Sequence, residues 1–457
     1  MLNRILIANR GEIAVRVLRA CREMNIETVA VYSEADRGAL FTTLATRAVC
    51  IGSARAEDSY LNQDAILETA RLTDCDGLHP GFGFLSENAG FAARVRENGV
   101  AFIGPPAEVI AALGDKSAAR ALMRKNGVPV VPGSDGLVSM PEGARAAADA
   151  IGYPVFIKAA AGGGGRGMRR ADAPEELEAA FLEASGEARV CFGDGSVYVE
   201  KLIENPRHIE FQILADSFGN TVHLGERDCT LQRRNQKVLE ESPSRAIDGE
   251  KRREMGEIAV RAARAAGYVN AGTVEFVVGA DGRYYFIEMN TRIQVEHPVT
   301  EMVTGIDIVR EQIRIASGLP LRVRQEDVAL TGHAIECRVN AEEPENGFRP
   351  CPGRIDYLYL PGGFGVRVDT ALYAGCEISP YYDSMVAKVI VHGKTRTEAV
   401  LRMRRALEEL LVEGVNTNLG LLYMLLYNPD FLNNRTDTGF IERNLDALLR
   451  PVEKDKL

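Results

Sequence analysis

Apolar and polar positions follow three regimes along the 457 residues. Near the N-terminus, short apolar runs (RILIA, ETVAVYS, DGLHPGFGF, VAFIG) alternate with helical patterns such as GEIAVRVLRACREM, and that spacing predicts parallel βαβ units. GPPAEVIAALGDKSAARALMRKNGVPVVPG then gives two helical patterns closed by Gly127 and Pro129, with a boundary near residue 113. YPVFIKA sets Val155, Ile157 and Ala159 against Phe156 and Lys158, the period-2 pattern of a strand that ends at a glycine run. From about 131 to 203, strands at both ends enclose the helical APEELEAAFLEASGEA, the pattern of a small lid. After residue 330, HAIECRVNAE, GRIDYLYLP and MVAKVIVHG read as strands, and TRTEAVLRMRRALEELLVEG places Val400, Met403, Leu407, Leu410 and Leu411 on one helical face.

The chain is long enough for about three domains with cores of their own. Charged residues at 26% and hydrophobic residues at 46% are those of a globular protein. With 54 Lys and Arg against 64 Asp and Glu the net charge is −10, which argues against a general nucleic-acid surface and leaves any anionic substrate to local basic clusters. The eight cysteines contain no C-x-x-C pair, so neither a zinc site nor a disulfide framework is indicated. MLNRILIANRGEIAV is interrupted too early by Asn9, Arg10 and Glu12 for a signal peptide, and no apolar run reaches membrane-spanning length. The expectation is a reduced cytoplasm, with neither nucleic acid nor membrane as partner.

Two stretches carry candidate chemistry. KAAAGGGGRGMRR strips the backbone of side chains beside Lys158, at a cost of roughly 0.5–1 kcal/mol per glycine relative to alanine. A phosphate-binding flap would use the bare amides; a flexible surface loop is the plainer reading. No Walker sequence occurs, and Asp36, which imitates a ribose-binding acid, lacks the glycine fingerprint of dinucleotide folds. In GTVEFVVGADGRYYFIEMNTRIQVEHP, Asp281-Gly282 is a hairpin signal. A two-residue loop there pairs Ala280 with Arg283 and sets Glu275 directly opposite Glu288, with Asn290 and Arg292 on the same face. Either a bulge leaves a solvated face, or a divalent cation bridges the carboxylates. Oxygen donors favour Mg²⁺.

Taken with Lys116, Lys158 and GGGGRGM, the stretches ILIANRGEIAVRV, HPGFGFLSENA, GDKSAAR, ERDCTLQRRNQKVLEESPS, EMNTRIQVEHPVTE, HAIECRVNAE and YYDSMVAKV resemble, in order and over essentially the whole chain, the biotin carboxylases of the ATP-grasp superfamily. The resemblance implies an α/β and α+β architecture: a Rossmann-like N-terminal domain over 1–113, an ATP-grasp domain over 114–330 with a mobile glycine-rich lid at about 131–203, a mixed C-terminal domain over 331–447, and a tail over 448–457. Lys116 and Lys158 match the family's phosphate-contacting lysines, and Gly164 and Gly165 its flap amides. Glu200, Lys201, Leu202 and Ile203 match the adenine-contacting hinge, with His208 nearby for the nucleotide. Glu275, Glu288 and Asn290 match the ligands of Mg²⁺ or Mn²⁺, the two acids also serving ATP. Lys237, Arg292, Gln294, Val295, Glu296 and Arg338 match the bicarbonate and biotin pocket.

The implied reaction joins ATP, bicarbonate and biotin into carboxybiotin, ADP and phosphate through carboxyphosphate. Lys237 and Arg292 would hold bicarbonate, Glu296 would take its proton, and Arg338 would stabilise the ureido oxygen of biotin. Two departures from the family pattern are Phe82, which keeps a ring beside Gly83 for packing against biotin but lacks a phenol hydroxyl, and Asn235, where the family often has histidine. No M-K-M biotinylation signal occurs, so biotin is expected on a carrier protein and the acyl acceptor on carboxyltransferase subunits, around a homodimer. The expected context is acetyl-CoA carboxylase and fatty acid synthesis. Pyruvate or another acyl-CoA as acceptor, another ATP-grasp ligase and a non-catalytic nucleotide-binding regulator stay open. Cys229, His79 and His297 are read as structural.

Overall fold

The computed structural model describes residues 1–159, 168–192 and 195–450, in two compact units. The first comprises Met1–Ala119, Arg207–Glu275 and Glu288–Leu457; the second comprises Arg120–Pro206 and Phe276–Ile287. No described helix is long and apolar enough to cross a membrane.

The first unit opens with a parallel five-stranded sheet in the order Arg47–Gly52, Glu27–Ser33, Arg4–Ile7, Gly77–His79, Ala101–Phe102. Both faces are covered: Ile5, Ile7 and Ala30 join one core cluster, and Leu6, Val29 and Val31 another. That is why these strands read as apolar runs and not as alternation. The edge strand Arg47–Gly52 has a single buried residue and gave no such run. The strand order reverses between Arg4–Ile7 and Gly77–His79, the position at which open parallel sheets present a crevice at their carboxyl ends. Asn9 Nδ2 there donates to the carbonyls of Pro80 and Phe82, each at 2.7 Å, and fixes the HPGFGF loop. Gly81, at φ +64°, leaves the room: a Cβ would lie 2.8 Å from Asn9 Nδ2.

A second, antiparallel sheet runs Arg207–Ala215, Thr221–Arg233, Gln236–Ser242, His333–Asn340, Met385–Gly393, Val366–Thr370, and residues 270–275 and 288–290 extend it beyond Arg207–Ala215. The sheet crosses position 330 without a break, because Glu240 pairs with Glu336 and Leu239 with Cys337. Arg233 pairs with Gln236 around a two-residue turn in which Arg234 and Asn235 both have positive φ, 48° and 63°. Such turns favour asparagine, which accounts locally for Asn235. The helix Arg396–Glu409 buries Val400, Met403 and Leu407 as expected, but Leu411 is outside it. Leu411 begins the strand Leu411–Glu413, pairs with Tyr359 and is exposed. GRIDYLYLP forms two short strands, Gly353–Arg354 and Tyr357–Tyr359.

Strand and helix are tied by Glu241, which takes Arg396 Nε at 2.6 Å and His333 Nε2 at 2.8 Å. Burial alone would raise this carboxyl; the hydrogen bond from His333 and the charge of Arg396 hold it down at about 2. A carboxyl depressed on folding stabilises above its unfolded pKa near 4.5 and loses that contribution as pH falls towards 2. Glu241→Gln is therefore expected to cost roughly 2–3 kcal/mol at neutral pH. The gap to wild type should close as pH falls below about 4.5. Urea midpoints at pH 7 and pH 3 measure this, and an equal gap at both would refute the assignment.

The second unit has the antiparallel sheet Met168–Ala171, Val155–Ala159, Val197–Lys201 packed on Pro141–Ile151 and Leu177–Phe192. Ala144, Ala148, Val155, Ile157, Leu177, Phe181 and Val199 form its core.

Candidate active site

The site is built on alternation. His208, Glu210 and Gln212 stand at every second position of Arg207–Ala215, and all are buried. Lys237, at the start of Gln236–Ser242, reaches three carboxylates: Glu210 at 2.5 Å, Glu275 at 3.0 Å and Glu296 at 2.6 Å. Arg227, fully buried, donates to Glu210 at 2.6 Å and to Gln212, Thr273 and Thr300. Arg338 spans Glu240 at 2.6 Å and Glu296 at 2.9 Å. Three cations thus face four acids, and the excess shows in Glu240, where burial, opposed by Arg338, pushes the carboxyl up to about 7. For Glu296, burial works upward but Lys237 first, then Arg338 and Arg227, hold the carboxyl well below its usual range. Lys237 is driven the opposite way, because Glu210, Glu275 and Glu296 overcome its burial.

The segment 290–296 brings the remaining candidates to this cluster. Asn290 Nδ2 and Gln294 Nε2 donate to Glu275 Oε1 at 2.8 and 3.1 Å. Arg292 faces Glu87 at 2.9 Å, Gln294 Oε1 at 2.8 Å and Asn290 Oδ1 at 3.1 Å. His208 Nε2 lies 3.1 Å from Glu275 Oε2, and Lys116 Nζ lies 3.5 Å from Glu288 Oε2. Phe82 and Gly83 stand on the loop held by Asn9.

The hairpin between the two acids differs from expectation. Gly279 N–H donates to Arg283 O at 2.8 Å, and Gly282 N–H to Gly279 O at 3.0 Å, with Gly282 at φ +75°. The connection is therefore three residues, 280–282, and not two, and Gly279 and not Ala280 pairs with Arg283, so the outward count starts one residue out. The charges still meet. Glu288 is pushed up by burial first and then by the charge of Glu275. That is the repulsion a cation between them relieves, and carboxylate and amide oxygens suit Mg²⁺ or Mn²⁺, so Glu275, Glu288 and Asn290 fit the metal. Among the described residues, the tight groups of three ligand-type side chains are His208–Glu210–Glu275 and Glu210–Cys229–Glu296; Lys237 bridges the acids of both, which makes them ion-pair clusters.

In the second unit, Lys158 Nζ pairs with Glu200 at 2.6 Å, and Arg120 also contacts Glu200. Lys201 points away from that pair, to the carbonyls of Gly152 and Tyr153 at 3.1 and 2.6 Å. Leu202 N–H donates to Pro154 O at 3.0 Å, and Ile203 follows it half-buried. Gly164 and Gly165 lie outside the described residues.

Sequence reasoning missed Glu87, Glu210, Arg227 and Glu240. Glu210 was within reach, since HIEFQ places His208, Glu210 and Gln212 on one strand face. Arg227 and Glu240 carried no local signal. Cys229 is wholly buried and its thiol is pushed well up, chiefly by burial, so it is a neutral neighbour of Glu296 at 3.9 Å. His79 Nδ1 accepts from Gly81 N–H at 3.0 Å, a turn cap.

Family models match the chain in three consecutive parts: "Biotin carboxylase, N-terminal domain" over residues 1–110, "Carbamoyl-phosphate synthase L chain, ATP binding domain" over 115–324 and "Biotin carboxylase C-terminal domain" over 336–443. Biotin carboxylase 1 of Bacillus subtilis is 56% identical over 97% of this chain and 98% of its own. A pyruvate carboxylase subunit from Methanothermobacter thermautotrophicus is 51% identical over 100% of this chain and 93% of its own. Among solved structures, the biotin carboxylase domain dimer of Hydrogenobacter thermophilus 2-oxoglutarate carboxylase, in complex with MgADP, ADP and bicarbonate, superposes with a TM-score of 0.92 at 49% identity over 99% of both chains. Biotin carboxylase from Campylobacter jejuni, as a β,γ-ATP complex, gives a TM-score of 0.92 at 48% identity over 97% of this chain and 99% of its own. Matched from end to end by whole biotin carboxylases at more than half identity, the chain belongs to the biotin carboxylase family of ATP-dependent ligases.

Proposed function

We propose that the protein carboxylates biotin carried on a partner protein, using ATP and bicarbonate through carboxyphosphate, as a homodimer serving an acetyl-CoA carboxylase. The observation that carries the reading is Glu296, wholly buried yet held as a carboxylate between Lys237 and Arg338. A base and two cations in one largely buried site suit an anionic nucleophile. Bicarbonate would take Lys237 and Arg292 in place of their present carboxylate and amide partners, and Glu296 would accept its proton at the carboxylate oxygen. Lys116 and Lys158 would neutralise phosphate oxygens, and Glu275, Glu288 and Asn290 would hold the metal, which supplies charge neutralisation on the phosphates. Arg338 would turn to the ureido oxygen of biotin.

Two measurements test this. ADP release by the purified protein should depend on bicarbonate and rise with free biotin; ATP binding without bicarbonate-dependent turnover would favour a regulator. Glu288→Gln should raise the Mg²⁺ needed for half-maximal ADP release by on the order of tenfold with the melting temperature held, and an unchanged requirement would remove Glu288 from the metal set.

For the acyl acceptor a second reading has its own support, the end-to-end match to a pyruvate carboxylase subunit. Reconstitution with carrier and carboxyltransferase subunits decides between them: labelled bicarbonate should pass into malonyl-CoA, and label in oxaloacetate would select pyruvate.

A further inference from the structure

Three stretches prominent in the sequence, ANRGEIAV, HAIECRVNAE and YYDSMVAKV, send charged side chains to one buried place. Glu12 lies on the helix Gly11–Glu23, Glu336 on His333–Asn340 and Lys388 on Met385–Gly393, and all three are buried. Lys388 Nζ lies 3.0 Å from Glu12 Oε1. Across the sheet, Lys388 pairs with Arg338 on one side and Asp369 on the other, so the three stand in a row on one face. Glu336 precedes Arg338 by two positions on the same strand and shares that face.

Charge balance explains the ion pair. A buried ammonium persists only when paired, and Glu12, Glu336 and Asp369 offset the burial of Lys388. Charge balance does not explain the second contact. Lys388 Nζ also donates to the main-chain carbonyl of Val295, at 2.8 Å. The preceding carbonyl, Gln294 O, is held as well, by His297 Nδ1 at 2.8 Å. The His297 ring is fully buried, and burial, then Lys388, Arg16 and Arg367, keep it neutral, so Nδ1 carries the donated proton. Two successive carbonyls are therefore pinned from beneath in a segment whose side chains Arg292, Gln294 and Glu296 face the cluster around Lys237 and Glu275.

We propose that Lys388 is a positioning residue for the bicarbonate step, holding the peptide 294–296 through the Val295 carbonyl so that Gln294, the Val295 N–H and Glu296 stand in fixed register for the anion. The inference rests on the reading in which these residues receive bicarbonate. It differs from a purely structural ion pair in what it leaves alone: Lys388 has no contact with Lys116, His208 or Glu288, so nucleotide binding should not depend on it.

The test compares Lys388→Met, Glu12→Gln, the double variant Glu12→Gln/Lys388→Met and Lys388→Arg. The readouts are melting temperature, KM for bicarbonate, KM for ATP and kcat of biotin-dependent ADP release. Lys388→Met alone leaves Glu12 and Glu336 without their cation, while Asp369 keeps Arg367, and should melt lower; the double variant removes the Glu12–Lys388 pair as a whole and should recover part of the lost stability. In the double variant the KM for bicarbonate should rise on the order of tenfold, as misplacement of a substrate-positioning peptide implies, with the KM for ATP within about twofold. Glu12→Gln, which keeps the bond to Val295, should stay within about twofold of wild type in both. Lys388→Arg keeps the charge and shifts the donor, so its loss should be smaller and confined to bicarbonate, and this variant carries the test if the double fails to fold. An unshifted bicarbonate KM in the double variant, equal rises in both KM values in either variant, or a Glu12→Gln enzyme as impaired as the double overturns the proposal. A wild type whose ADP release ignores bicarbonate overturns the functional reading beneath it; a bicarbonate-dependent wild type with any of those outcomes overturns the positioning role alone.

Discussion

Glu296→Gln is expected to abolish bicarbonate-dependent ADP release and biotin carboxylation together, by about 10²–10⁴-fold, with nucleotide affinity preserved. The side chain is wholly buried, 2.6 Å from Lys237 and 2.9 Å from Arg338, and those cations hold it well below the usual carboxylate range. So depressed a carboxylate is a poor base at rest. Its basicity rises when entering bicarbonate draws Lys237, the cation that depresses it most, away, so the base is strengthened by the arrival of its own substrate. Glutamine keeps the shape and can accept from one of the two cations through its single carbonyl oxygen, but it cannot take a proton. The fold should tolerate the change, because Lys237 keeps Glu210 and Glu275, and Arg338 keeps Glu240. Side-by-side assays of ADP release and nucleotide binding decide it: carboxyphosphate-dependent turnover at wild-type rate would place the proton acceptor elsewhere.

How far the site could be read from the sequence depended on the separation of its parts. Local features were legible. The period-2 pattern of YPVFIKA, the two helices around Asp115 and the parallel first sheet follow from burial acting over a few residues. The hairpin at Asp281-Gly282 was legible as a turn but not in its length, because Gly279 can close on Arg283 with Gly282 left-handed, and composition alone does not separate a two-residue from a three-residue loop. Leu411 continues a helical stripe in sequence, yet pairing with Tyr359 draws it into a strand. The convergence of Lys237, Glu296 and Arg338 was beyond any local argument. These residues lie on separate elements joined only by sheet pairing, and family resemblance alone placed them together. The neighbours that set their charge states, Glu210, Arg227 and Glu240, show why: a buried acid on a strand face looks like any solvated alternation until the partner strand is known.

Arg338→Ala should separate the two half-reactions. Biotin carboxylation should fall about 10²–10³-fold, the usual loss for one partner of a developing oxyanion. ADP release dependent on bicarbonate should fall much less, because among the groups assigned to carboxyphosphate formation Lys237 and Arg292 keep their partners and Glu296 keeps Lys237. Loss of Arg338 also removes one of the two nearest cations that depress Glu296, which makes that carboxylate a stronger base and favours the first step. The principal risk to the fold is Glu240, which would lose the guanidinium that now sits 2.6 Å away. Its carboxyl stands at about 7 even with Arg338 in place, so on losing that partner it takes up a proton and remains buried as a neutral acid. Stability at neutral pH should therefore decline only moderately, and a melting curve run beside the assays checks this. ADP release and carboxybiotin formation are then measured on the same folded variant. Equal loss of both activities would mean that Arg338 supports the nucleotide site or the common scaffold, and the division between a bicarbonate base at Glu296 and a biotin oxyanion partner at Arg338 would fall.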